Sequence, residues 1–169
     1  MIDNNKIFLI GFMGSGKTTL GKKLAKKLDK PFFDLDVEIE NSESLTINQL
    51  FEKYGETHFR ELESKMFRAL IINNESFVLS LGGGTPCIQS NMDLVKSSGA
   101  SIYLKYNAGI LASRLIGAKA ERPLIKNLDE TELKEFITNK LSEREPFYNQ
   151  CKFTIEKNNV RVEDLIKLI

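Results

Sequence analysis

Eight residues near the start, Gly11-Phe12-Met13-Gly14-Ser15-Gly16-Lys17-Thr18, fit the pattern G-x-x-x-x-G-K-[ST] with no gap and no substitution, and Thr19 follows them. Such a segment works only between a buried strand and the first turn of a helix. Its three glycines let the backbone curl until several N–H groups face one concavity, which suits an anion. The helix that follows adds the positive end of its dipole. Lys17 carries a full charge to the outer phosphates of a nucleotide. Thr18 offers a hydroxyl to the magnesium ion that travels with a nucleoside triphosphate, and Gly14, Ser15, Gly16 and Thr19 complete the phosphate-binding set.

The flanks meet this demand. Lys6-Ile7-Phe8-Leu9-Ile10 is a short run of β-formers and reads as a buried parallel strand. Leu20, Leu24 and Leu28 recur every four residues, as on an amphipathic helix. Lys22, Lys23, Lys26 and Lys27 read as its solvated face.

With 169 residues the chain is expected to form one domain. With a formal net charge of +1, nothing argues for nucleic acid or an anionic membrane as a partner, and neither is expected. No apolar run approaches the length of a membrane span, and Asp3, Asn4 and Asn5 stand where a signal-peptide core would begin, so a cytoplasmic location is expected. Cys87 and Cys151 are too few and too isolated for a disulfide framework or a zinc cluster and read as free thiols. His58, the only histidine, excludes multi-histidine metal sites and is expected on a helix surface.

Further along, strands are predicted at 31–34, 77–81, 101–106 and about 153–156. A capping box at Thr46 to Gln49 opens a short helix that Gly55 ends, and Phe59, Leu62, Met66 and Leu70 mark a longer one. Helices are also predicted over 91–98 and 108–116, over a segment carrying Leu133, Phe136, Ile137 and Leu141 that ends near Pro146, and from Val162. Residues 117–123 are polar and aperiodic. Strands alternating with helices imply an α/β fold with a parallel sheet covered on both faces.

In such a sheet, ligands collect at the carboxyl ends of the strands. The first strand leads into the glycine loop. The second ends in Asp34-Leu35-Asp36, read as two carboxylates on one side of an extended segment. They suit a division of labour in which one orients water around magnesium and the other takes a proton from a substrate hydroxyl. A solvated turn or a helix cap is the plainer alternative. The third strand ends in Gly82-Gly83-Gly84, which calls either for close approach of a ligand to the backbone or for a turn with positive φ. Arg60, Arg122 and Arg144 are candidates for two-pronged binding of carboxylate or phosphate. Arg122 stands in a segment with the small-residue composition of a lid.

Taken together, these residues resemble the shikimate kinase family over essentially the whole chain. The resemblance rests on Gly-Phe-Met-Gly-Ser-Gly-Lys-Thr at 11–18, Phe-Asp-Leu-Asp at 33–36 and Gly-Glu-Thr-His-Phe-Arg-Glu-Leu-Glu at 55–63. Leu-Ser-Leu-Gly-Gly-Gly at 79–84, Glu-Arg-Pro-Leu at 121–124 and Arg-Glu-Pro-Phe-Tyr at 144–148 complete it. It implies a three-layer P-loop kinase fold: a central five-stranded parallel sheet, order 2-3-1-4-5, flanked by helices. The whole chain, 1–169, would be one such domain, with its phosphate loop at 11–18, a substrate-binding segment at about 34–62 and a lid at about 114–128. The implied reaction moves the γ-phosphate of ATP to the 3-hydroxyl of shikimate in aromatic amino-acid biosynthesis, with Mg2+ and as a monomer.

The resemblance also implies roles. Asp36 would bind the reacting hydroxyls and act as, or orient, the base. Arg60 and Arg144 would hold the carboxylate, the backbone of Gly82, Gly83 and Gly84 would contact the ring hydroxyls, and Phe51 and Phe59 would wall the ring. Thr18 would ligate magnesium directly, and Asp34 and Ser80 through water. Arg122 would act with Lys17 on the transferring phosphate, and Arg114 would stack on adenine. The stretch Glu156-Lys157-Asn158-Asn159 lacks the proline often found in the family's adenine loop. Two other readings stay open. One is another kinase of this fold, such as a gluconate kinase, against which Arg60 and Arg144 count. The other is a nucleotide-binding switch without transfer, against which Asp36, Lys17 and Arg122 count.

Overall fold

The structure is a computed structural model that describes residues 5–117, 125 and 127–169. Its centre is β1 (Lys6–Ile10), whose residues from Ile7 onward are fully buried. A strand apolar on both faces needs cover on both sides, which the helices supply. Five parallel strands form one sheet: β1, β2 (Phe32–Asp34), β3 (Phe77–Ser80), β4 (Ala100–Lys105) and β5 (Phe153–Glu156), in the order β2-β3-β1-β4-β5. This is the expected order.

The helices are α1 (Lys17–Leu28), α2 (Leu35–Glu43), α3 (Ile47–Asn73), α4 (Gln89–Ser98), α5 (Ala108–Ile116), α6 (Glu130–Tyr148) and α7 (Val162–Ile166). From β1 the chain crosses to β2 on one side of the sheet. From β3 it crosses to β4 on the other side. Connections leaving in opposite directions open a crevice at the carboxyl ends of β1 and β3, the usual place for a ligand in such sheets. The core beneath it is aromatic: Phe8 meets Phe67 and Phe77 edge-to-face, with ring centroids 5.9 and 5.6 Å apart.

Local signals set most boundaries. Thr46 and Gln49 form the predicted capping box at the start of α3. Gly55 interrupts that helix at φ 81°, ψ 172°, a conformation that β-carbon sterics discourage, so one long rod becomes two helices with a bend between them. Two expectations need correction. The α6 helix runs through Pro146 to Tyr148, because Glu145 and Phe147 carbonyls still find partners in the Asn149 N–H beyond it. The segment after Asp34 is α2, a helix the apolar pattern did not signal: among its residues only Leu35 and Ile39 are buried.

Candidate active site

The phosphate loop spans the gap between β1 and α1. Gly14 (φ 80°) and Gly16 (φ 87°) are left-handed, a region that side chains with a β-carbon avoid. The first turn of α1 contains no acidic residue of its own to offset the positive end of the helix dipole. Lys17 folds back over its own loop, Nζ donating to the carbonyls of Gly11 (2.8 Å) and Phe12 (3.1 Å). The Ser15 side chain is buried beneath the loop, whereas Thr19 is exposed at the cleft. Ser15 can therefore meet a ligand only through its backbone.

Next to the loop, the Thr18 hydroxyl donates to Asp34 Oδ2 at 2.6 Å. The reading of Asp34 and Asp36 as neighbours on an extended strand is corrected. The β2 strand stops at Asp34, which caps α2 by accepting from the Asp36 N–H (3.2 Å). Asp36 therefore sits in the first helical turn. The bland alternative, a helix cap, is true of Asp34, and it is this cap that aims Asp36 into the crevice. Ser80 pairs in register with Asp34 across β2 and β3. Burial, reinforced by the nearby charges of Asp34 and Glu63, pushes the Asp36 carboxyl up to about 6, with Lys17 pulling the other way.

Across the cleft, Phe51 and Phe59 lie with ring centroids 4.5 Å apart and form an apolar wall. The Arg60 guanidinium lies 5.3 Å from the Phe59 ring and donates through Nη1 to Glu63 Oε2 at 2.8 Å. Glu63 is only 1 % exposed, and its other oxygen accepts from the Thr85 hydroxyl at 2.7 Å. Burial works against the Arg60 charge, but Glu63 and Glu56 together outweigh it and raise the guanidinium's pKa. On the far side Arg144, from α6, packs 5.3 Å from the ring of Phe12. Sequence reasoning gave Glu63, Thr85 and Phe12 no role. The spacing Arg60-x-x-Glu63 on one helix was the available signal for the first.

The glycines at 82–84 answer the question left open about them. None has a positive φ, so the turn explanation fails. A β-carbon would lie 3.0 Å from Asp36 Oδ1 at Gly82, 2.8 Å from Arg144 Nη1 at Gly83 and 2.6 Å from Arg60 Nη1 at Gly84. Gly83 and Gly84 each make room for one arginine, and Gly82 makes room for Glu63 (2.9 Å), Asp36 and Thr85 together.

At the other end of the cleft the Arg114 guanidinium stacks 4.1 Å from the Tyr106 ring, donating to the Gly14 and Asn158 carbonyls, both at 3.2 Å. It thereby ties the phosphate loop to the segment after β5. All these groups converge on one cleft of about 510 Å³, lined by Lys17, Thr18, Asp34, Asp36, Phe51, Phe59, Arg60, Ser80, Gly82 to Gly84, Arg114 and Arg144 among others. Arg122 and most of the predicted lid lie outside the described residues. His58 is exposed on α3, and Cys87 and Cys151 are free thiols, both pushed up by burial.

A family model described as shikimate kinase matches residues 13–169. A shikimate kinase of Flavobacterium psychrophilum is 46 % identical over 165 residues, 97 % of this chain and 96 % of the relative. The crystal structure of shikimate kinase from Bacteroides thetaiotaomicron superposes with a TM-score of 0.89 at 38 % identity, covering 96 % of this chain and 94 % of that one. Shikimate kinase from Acinetobacter baumannii, solved in complex with shikimate, gives a TM-score of 0.86 at 33 % identity, over 98 % and 90 % of the two chains.

Proposed function

This chain belongs to the shikimate kinase family, and from that premise we propose that it transfers the γ-phosphate of ATP to the 3-hydroxyl of shikimate, a step of aromatic amino-acid biosynthesis. One observation carries the reading. A phosphate loop, a carboxyl with a pKa of about 6 and two guanidinium groups seated on glycine backbone line the same cleft. A small ring acid with hydroxyls needs that set: cations for its carboxylate, and an acceptor beside the hydroxyl that attacks.

In this reading Arg60 and Arg144 grip the carboxylate while Phe51 and Phe59 flank the ring. Glu63 holds Arg60 in place through its 2.8 Å contact. Asp36 binds the reacting hydroxyl and receives its proton. At pH 7 to 8 a group with a pKa of about 6 is mostly ionised yet still basic enough to help. Lys17 leaves the Gly11 and Phe12 carbonyls to meet the phosphates, where the N–H groups of the loop and the start of α1 already point. Arg114 borders the nucleoside end, and Arg122 acts on the transferring phosphate.

The residues also fit a magnesium ion carried by the nucleotide. Thr18, Asp34 and Ser80 offer hard oxygen donors next to the loop, and a partly hydrated ion bound chiefly by phosphates needs only one or two of them. When bound, that ion neutralises charge on the phosphate oxygens. We place the protein in the cytoplasm, as a monomer; among the described residues no helix is long and apolar enough to cross a membrane.

The test is ADP release by the purified protein with ATP, magnesium and shikimate, run in parallel with gluconate. Turnover that requires shikimate is expected. Phosphorylation of gluconate with none of shikimate would move the protein to another kinase class, and binding of ATP without transfer to either would favour a switch.

A further inference from the structure

The Tyr148 hydroxyl sits at a junction that neither the phosphate loop nor the arginines explain. Tyr148 is fully buried on the last turn of α6, one helical turn after Arg144 and on the same face. Its hydroxyl donates to the Gly83 carbonyl at 2.6 Å. An Arg144 nitrogen and this hydroxyl both close on the same point, 2.8 and 3.4 Å from where a β-carbon of Gly83 would be. One hydroxyl of α6 thus holds the glycine backbone after β3 beside the guanidinium of the same helix. The ring below it packs on Tyr103, centroids 5.1 Å apart, and the Tyr103 hydroxyl donates to Glu145 at 3.3 Å.

We propose that Tyr148 is a positioning residue for carboxylate recognition: its hydroxyl fixes the Gly83–Gly84 peptide plane against which the Arg144 fork rests. The proposal rests on the shikimate reading above. The physical basis is the rigidity of the peptide unit. Because the bond is planar and trans, holding the Gly83 carbonyl from one side turns the Gly84 N–H to the other. Three successive glycines bring no β-carbon to restrict that plane, and the Cys87 Sγ, 3.7 Å from the same carbonyl, is a weaker donor than the tyrosine hydroxyl. Arg144 lies against the Phe12 ring and the Gly83 backbone, so the orientation of that backbone sets where its fork can rest. A guanidinium held this way loses little freedom when it takes up a carboxylate.

The experiment compares Tyr148→Phe with Tyr103→Phe in the full chain, by steady-state kinetics, calorimetric titration of shikimate and thermal melting. Each variant removes one buried hydroxyl from the same ring pair, but only Tyr148 holds the Gly83 carbonyl. Tyr148→Phe should raise the KM and Kd for shikimate roughly three- to tenfold, the worth of one hydrogen bond, with kcat and the KM for ATP within about twofold of wild type. Tyr103→Phe should lower the melting temperature comparably and leave shikimate binding unchanged. In an Arg144→Lys background, removing the Tyr148 hydroxyl should cost less than it does in the wild type. Unaltered shikimate affinity in Tyr148→Phe, or an equal loss in Tyr103→Phe, would overturn the proposal. Absence of shikimate turnover in the wild type would instead overturn the substrate reading, and this proposal with it.

Discussion

The Arg60 guanidinium occupies the space that a side chain on Gly84 would need: a β-carbon there would lie 2.6 Å from both of its terminal nitrogens. Gly84 has φ −91°, a value open to any residue, so the glycine is present for room and not for its backbone freedom. The same arginine is anchored from behind by Glu63, which cannot move without losing Thr85. Gly84→Ala should therefore displace Arg60, and a forced shift of this kind costs about 1–3 kcal/mol. Expressed as kinetics, the KM for shikimate should rise by about tenfold or more while the KM for ATP hardly changes. An unchanged KM for shikimate would show that Arg60 does not need its present position.

Asp36→Asn should nearly abolish turnover and leave ATP binding largely intact, because it removes the proton acceptor without touching the phosphate loop. Stability should move the other way. The folded-state pKa of Asp36, about 6, lies above its ordinary value of 3.8. Between those values the folded protein keeps a proton that the unfolded chain releases, so the contribution of Asp36 to stability falls as pH rises through that window. Above pH 6 the ionised carboxylate costs about 1–3 kcal/mol, the lower figures allowing for water in the open cleft. Asp36→Asn should thus melt a few degrees higher than wild type at pH 8, with the gain gone at pH 4. Equal melting temperatures at pH 8 would show the carboxylate to be unstrained.

The pH profile of kcat/KM for shikimate should carry an acidic limb with a midpoint near 6, where Asp36 takes up its proton. Activity should be flat from about pH 7 to 8 and fall roughly tenfold per unit well below the midpoint. A profile flat down to pH 5 would argue that the ionised carboxylate is not required.

Arg114 joins Gly14 to Asn158 and lies on the Tyr106 ring. Arg114→Ala removes a cation–π contact and two hydrogen bonds at the nucleoside end of the cleft. The KM for ATP should rise roughly tenfold, with the KM for shikimate unaffected. Equal effects on both substrates would mean that Arg114 supports the loop as a whole instead of the nucleotide.

The signals readable from sequence were those whose meaning is local. The glycine loop, the Lys6–Ile10 strand, the Thr46 capping box and the break at Gly55 depend on dihedral preference and on partners a few residues away, and they appear in the structure as expected. The strand–helix alternation likewise carried the α/β class. Where the local pattern was faint it failed: α2 buries only Leu35 and Ile39, too little apolar periodicity to betray a helix.

What the amino-acid order determined alone was a nucleotide-binding α/β protein with a phosphate loop at Gly11 to Thr18. What tertiary structure decided was which residues meet across the cleft. Arg60, Glu63, Gly84 and Thr85 meet because α3 packs against the turn that follows β3, and Arg144, Phe12, Gly83 and Tyr148 meet because α6 packs against the segments that follow β1 and β3. Distances across such junctions depend on side-chain packing between distant segments. Periodicity and propensity describe one segment at a time, so they could suggest these residues but not bring them together.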